Sequence, residues 1–215
     1  MITILLKNNG EPRVNELTYE LLWKELKHIP GAKIEVVSDW LKAVPKVSNN
    51  YVCFVEPDCL VSSGYFDSLI GHMNKNPQQL NKLGVLSSAT GVNHWAVKFY
   101  GFRIGNEHST GVIPNKDRKD NKLPFYTMQV AYIPGSLIRT SFLNKVLADF
   151  NPPKNVMDDL VLFSTLLSLA FWKRNWQVYI APNSTYVTTE DYVNDIAGIN
   201  VDEEELKKKF MRESI

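Results

Sequence analysis

Tyr51-Val52-Cys53-Phe54-Val55-Glu56-Pro57-Asp58-Cys59 decides the reading of this 215-residue chain. Its first five residues are an unbroken apolar run, rich in β-branched and aromatic side chains, as in a strand buried on both faces. The run ends on two acids separated by one residue. Side chains at i and i+2 of an extended segment point the same way, so Glu56 and Asp58 are expected to converge while Pro57 faces elsewhere. Two carboxylates at the mouth of a buried strand repel each other unless a cation holds them. A hard divalent cation is the expected partner, and a phosphate the expected reason for it.

Outward from this strand the chain alternates. Upstream, Ile2 to Leu6 reads as a strand, and Asn8-Asn9-Gly10-Glu11-Pro12 as the loop leaving it. Tyr19, Leu22, Trp23, Leu26 and Ile29 recur at helical spacing, which predicts a helix to about His28, before Pro30-Gly31. Ile34 to Val37 is a second strand ending at Ser38-Asp39, and a short helix covers Trp40 to Val44. Downstream, Ser62 or Ser63 is placed to cap a helix with the stripe Phe66, Leu69, Ile70 and Met73. Gly84 to Ser88 is another strand. This order predicts an α/β fold with a mostly parallel sheet and helices on both faces. Ligands of such sheets sit beyond the carboxyl ends of the strands, where Asn8, Asp39, Glu56 and Asp58 all fall.

The second half is less regular. Residues 90–123 are polar and rich in Gly, Asn and Asp, with one strand candidate at Lys98 to Ile104, and are expected to be partly mobile. Thr127 to Ile133 reads as a strand, followed by Pro134-Gly135-Ser136 and then Leu137-Ile138-Arg139. A helix is expected from near Ser141, then a stiff bridge at Asn151-Pro152-Pro153-Lys154. From Asp158 the chain is apolar nearly all round, as in a buried helix. Trp176 to Ala181 is a late strand, and Glu203 to Lys209 suits a solvated terminal helix. The single domain 1–215 thus divides into a regular first half (1–88), a less regular second half (89–200) and a terminal helix (201–215).

Composition narrows the function. Hydrophobic content of 44%, charged content of 22% and a net charge of +1 are those of an ordinary globular chain, without the basic excess of a nucleic-acid binder. The two cysteines, Cys53 and Cys59, read as structural thiols, and a reducing cytoplasmic setting is expected. Met1 to Leu6 lacks the pattern of a signal peptide. Leu160 to Trp172 is shorter than the roughly 20 residues of a membrane span, so a soluble chain without a transmembrane segment is expected.

There is no Gly-x-x-x-x-Gly-Lys loop and no Gly-x-Gly-x-x-Gly turn, so phosphate would be held through a metal. A second acidic pair, Asp158-Asp159, opens the apolar helix. Asp158 reads as its N-cap, and Asp159 either shares that structural role or acts as a general base on a hydroxyl.

Four segments carry a family likeness. Val55-Glu56-Pro57-Asp58 resembles the acidic "DxD" position of GT-A-fold glycosyltransferases that use nucleotide-diphosphate sugars, especially the large inverting family of that fold. Tyr132-Ile133-Pro134-Gly135-Ser136-Leu137-Ile138-Arg139 resembles the segment lining the donor sugar, and Met157-Asp158-Asp159 the "ED" pair. Val178-Tyr179-Ile180-Ala181-Pro182 resembles the strand after the "ED" helix. Where many relatives place a late His, this chain reads Val187-Thr188-Thr189-Glu190-Asp191.

The resemblance implies roles: residues 1–88 would be the nucleotide-binding half and 89–200 the donor-sugar and acceptor half. Asn8 and Asp39 would flank the nucleotide. Asp58 and Glu56 would form the site for Mn2+ or Mg2+, Asp58 binding it directly and Glu56 reaching the ribose or a metal-bound water, and both acids would contact the nucleotide. Pro134, Gly135 and Ser136 would line the donor sugar. Asp159 would be the base, with Asp158 beside it. The implied donor is a UDP-sugar (glucose as the first guess), and the acceptor an unidentified saccharide or other hydroxyl. Two alternatives are a noncatalytic nucleotide- or glycan-binding relative and a glycoside hydrolase. The second is disfavoured, because acids one residue apart are closer than the roughly 5 Å or more that glycosidases place across the scissile bond.

Overall fold

The computed structural model describes residues 1–57, 59–74, 81–92, 97–99, 126–128, 130–154 and 156–188. Among them lie nine strands in one sheet: β1 (Ile2–Lys7), β2 (Lys33–Val37), β3 (Tyr51–Val55), β4 (Leu60–Val61), β5 (Leu83–Val92), β6 (Val97–Phe99), β7 (Tyr126–Met128), β8 (Leu137–Arg139) and β9 (Gln177–Thr188). The helices are α1 (Pro12–Leu26), α2 (Trp40–Ala43), α3 (Tyr65–Asn74), α4 (Thr140–Leu147) and α5 (Leu160–Lys173).

The main strand order is β2-β1-β3-β8-β5-β9-β4, with β6 on β5 and β7 on β9. β1 lies parallel between β2 and β3, and β5 is parallel to β9. Short β8 runs antiparallel to both β3 and β5, joining the two parallel groups. Two reversals restore direction, so β1, β2, β3, β5 and β9 all end at one edge of the sheet. This is the GT-A-like α/β sheet expected from the alternation of elements, mostly parallel and covered by helices.

Burial explains the layers. β1 and β3 are interior strands, and Ile4, Leu5, Leu6, Val52, Phe54 and Val55 are fully buried. β2 is an edge and is largely exposed, as a strand paired on one side is. α1 and α3 pack against each other, while α4 packs on α5 and on the turn Val44–Lys46 after α2. Trp40 of α2 stacks on Phe54 at 5.2 Å between centroids and meets Phe163 of α5 at 6.2 Å. The apolar α5 buries Leu160, Phe163, Leu167 and Phe171. Its buried Ser164 and Ser168, one turn apart, accept hydrogen bonds from the backbone N–H of Ile133 (3.0 Å) and Ala131 (3.3 Å). Polar residues in this helix therefore satisfy an otherwise unpaired backbone segment.

Several expectations shift in detail. The buried face of α1 is Thr18, Leu22 and Leu26, whereas Tyr19 and Trp23 are exposed. α5 begins at Leu160 after a 3-10 turn at Val156–Asp158, two residues later than expected. β5 and β9 run further than their apolar cores, to Val92 and Thr188. β6 covers the start of the Lys98 candidate, and the rest of that strand, Glu190, Asp191 and the 201–215 helix lie outside the described residues. Most of residues 90–123, expected to be partly mobile, lie outside them too. Cys53 and Cys59 are buried free thiols. No helix among the described residues is long and apolar enough to cross a membrane.

Candidate active site

The carboxyl ends of β1, β2 and β3 lie side by side because these strands are neighbours in the sheet and parallel. Asn8 follows β1. Its backbone N–H donates to Val37 O at 2.8 Å, closing the gap between β1 and β2. Its side-chain Oδ1 accepts from Gly10 N (2.9 Å) and from Asn15 Nδ2 (2.8 Å), which shapes the exposed loop into α1. Asp39 follows β2 as the N-cap of α2, accepting from Lys42 N at 3.2 Å and pairing with Lys42 Nζ at 3.0 Å. Partial burial pushes the Asp39 carboxyl upward, but the hydrogen bonds and charge of Lys42 outweigh it and hold the group below the usual carboxylate range.

Glu56 follows β3 and is only 4% exposed. Its Oε2 accepts from Tyr132 OH at 2.8 Å and from Tyr186 OH at 3.2 Å, while its backbone N–H donates to Tyr186 OH at 3.2 Å. Where a carboxylate open to the mouth was expected, Glu56 is enclosed, because two phenols supply the charge-assisted bonds that a buried acid requires. Asp58 lies outside the described residues.

Pro134, Gly135 and Ser136 form a buried turn against the end of β3. Gly135 N donates to Phe54 O at 2.7 Å, and Gly135 O accepts from Tyr65 OH at 2.6 Å. Gly135 has φ +76°, and a Cβ there would meet the Tyr186 ring at 2.4 Å. The turn therefore admits only glycine at this point. Ser136 is fully buried, with its hydroxyl donating to Tyr132 O at 2.6 Å.

The Asp158-Asp159 pair is exposed. Asp159, not Asp158, is the N-cap of α5, accepting from Leu162 N at 2.8 Å. The 3-10 turn moves the helix start and shifts the cap by one residue. Lys7 at the end of β1 donates through Nζ to Met157 O at 3.2 Å and lies 5.7 Å over the Trp40 ring. It ties the acidic pair's segment to the same strand ends as Asn8. Sequence reasoning missed Lys7, whose only signal was a basic residue closing an otherwise apolar strand.

Among the described residues no group of three His, Cys, Asp or Glu side chains is arranged to hold a metal.

No family model matches the chain. No curated protein matches it either. Solved structures do. GalNAc-T7, in a crystal structure with UDP, GalNAc and Mn2+, superposes with a TM-score of 0.52 at 10% identity, over 88% of this chain and 44% of that one. S. aureus TarS 1-349 in complex with UDP-GlcNAc gives 0.52 at 11% identity, over 88% of this chain and 58% of that one. The same TarS fragment with UDP gives 0.51 at 11% identity, over 91% and 62%. The chain thus spans less than two thirds of the length of these structures. Identities this low speak to architecture alone, and the architecture they share with this chain is that of the GT-A glycosyltransferases.

Proposed function

We propose that this chain is a metal-dependent glycosyltransferase moving a sugar from a UDP-sugar donor to the hydroxyl of an acceptor. The observation that carries the reading is the grouping of Asn8, Asp39 and the Glu56 turn at the ends of three adjacent parallel strands in a GT-A-like sheet. The UDP bound by GalNAc-T7 and the UDP-GlcNAc bound by TarS support the nucleotide class. A reducing cytoplasmic setting suits the two buried thiols.

In this reading Asn8 and Asp39 flank the nucleotide, and Asp58 is the residue that would hold Mn2+ or Mg2+. Such a cation, when bound, supplies charge neutralisation of the departing diphosphate. Asp159 takes the proton from the attacking hydroxyl; its Oδ1 accepts the capping bond from Leu162 N. The turn at Pro134, Gly135 and Ser136 sets the wall of the donor-sugar site through its backbone, the Ser136 hydroxyl being engaged within the turn.

A second reading, a noncatalytic nucleotide- or glycan-binding relative, is favoured by one specific observation: Glu56 and Asp159 both make structural hydrogen bonds. A donor screen decides between them. Thermal-shift measurements with nucleotide sugars, with and without manganese, should give stabilisation by a UDP-sugar that grows with the metal. Incubation of that donor with saccharide acceptors should release UDP. Stabilisation without any turnover would favour the binding module, and no stabilisation by any donor would refute the transferase and nucleotide binding, leaving glycan binding.

A further inference from the structure

The buried acid at the end of β3 joins four segments distant in sequence. Tyr186 OH accepts from the Glu56 backbone N–H and donates to its Oε2, so one phenol fixes both the main chain and the side chain of the same residue. Tyr132 OH fills a second position on that oxygen. Burial, then the neighbouring Cys59, Glu56 and Tyr132, push the Tyr186 phenol well above its ordinary range, so it stays protonated and remains a donor. The Tyr186 ring lies against Gly135, leaving no space for a Cβ. Gly135 in turn is bonded to Phe54 O of β3 and to Tyr65 OH of α3. β3, α3, the 132–136 turn and β9 are thereby locked around one carboxylate.

We propose that Glu56 is a positioning residue and not a metal ligand: its carboxylate, held by the phenols of Tyr132 and Tyr186, fixes the chain after β3 against the 132–136 turn and β9. This inference rests on the nucleotide-site reading above. The two acids of Glu56-Pro57-Asp58 then have separate tasks. Glu56 sets the shape of the turn from inside, and Asp58 keeps the metal role that the proposed function gives it. At 4% exposure, with Oε2 engaged by both phenols, the Glu56 carboxylate is spent on bracing the turn. Manganese and a nucleotide diphosphate bound at this site would strengthen each other's binding reciprocally.

The test is calorimetry of UDP binding, with and without manganese, on the wild type, Glu56→Gln, Asp58→Ala and the double variant Tyr132→Phe/Tyr186→Phe, each checked for folding by its melting temperature. Glu56→Gln keeps an oxygen for both phenols and should retain the manganese effect within about 3-fold. The double phenylalanine variant leaves Glu56 intact but unbraced, and should lose at least about 10-fold in UDP affinity, the scale of hydrogen bonds to a charged group. Asp58→Ala should remove the manganese effect while leaving the melting temperature near that of the wild type.

Loss of the manganese effect in Glu56→Gln as complete as in Asp58→Ala would place Glu56 on the metal and overturn the proposal. A double variant that melts earlier yet binds UDP like the wild type would reduce the network to packing and overturn it equally. If the double variant does not fold, Tyr132→Phe alone carries the comparison, because Tyr186 still holds Glu56 N. Equal UDP affinity of the wild type in both conditions would contradict the metal part of the proposed function. The same variants are then ranked on metal-free UDP affinity, with Glu56→Gln expected above the double variant and the reverse order overturning the positioning role. A wild type that binds no UDP refutes both.

Discussion

Gly135→Ala probes the packing of the site most sharply. The residue has φ +76°, and the added methyl would sit 2.4 Å from Tyr186 Cδ2 and 2.6 Å from Cγ. Two costs add. A Cβ in the left-handed region costs about 1–2 kcal/mol. Overpacking a closed core adds typically about 1–3 kcal/mol, and the obstacle is a ring whose hydroxyl is bonded to Glu56. The sum is about 2–5 kcal/mol. For a chain of this size about 1 kcal/mol moves Tm by about 2–4 °C, so a drop of roughly 4–20 °C is expected. Gly64 isolates the backbone cost, since it has φ +68° and a Cβ added there would meet nothing within 4 Å. Gly64→Ala should therefore lose only about 1–2 kcal/mol. The assay is urea unfolding of both variants beside the wild type. Equal losses at the two positions would mean that Tyr186 yields freely, and the locked network around Glu56 would be wrong.

The acidic pair separates by chemistry: Asp159→Ala should cost about 0.5–2 kcal/mol through the lost cap. Asp159→Asn should keep the cap and lower transfer by about 10²–10⁴-fold, measured as UDP release, while Asp158→Asn changes neither greatly. Asp39 titrates below the usual range in the folded chain, so its stabilising share is present above the unfolded-state value and fades as pH falls through the lowered folded one. NMR titration should show this, and Lys42→Ala should move the midpoint upward; an unchanged midpoint would remove Lys42 as the cause. Cys53 and Cys59 are buried, and burial followed by the charge of Cys59 pushes the Cys53 thiol well up, so neither should react with a thiol reagent until the chain is unfolded. Rapid labelling of the native protein would contradict that burial.

The first half of the fold was legible because its signals are local. Apolar runs at Ile2–Leu6 and Tyr51–Val55 need no distant partner to be read as buried strands, and β1 and β3 follow them closely. The face of α1 was misjudged because an aromatic residue at helical spacing looks like core, whereas Thr18 is buried and Tyr19 and Trp23 are exposed. Strand ends at Val92 and Thr188 escaped because pairing with each other, not hydropathy, extends them. Glu56 was legible as an acid at a strand mouth but not as an enclosed one. Its phenol partners stand 76 and 130 residues downstream. Lys7 was missed for the same reason, its carbonyl partner being 150 residues away.

The proposed function requires a nucleotide diphosphate to sit beyond the carboxyl ends of β1, β2 and β3. A crystal structure of the chain with UDP and manganese answers this. UDP is expected beside Asn8 and Asp39, with the metal on the diphosphate near the end of β3 and Glu56 still bonded to Tyr132 and Tyr186. The opposite edge offers an alternative, a groove of about 330 Å³ lined by Asn50, Tyr51, Arg139, Thr140 and Asn144 among others. UDP bound in that groove, with the strand ends empty, would contradict the proposed nucleotide site.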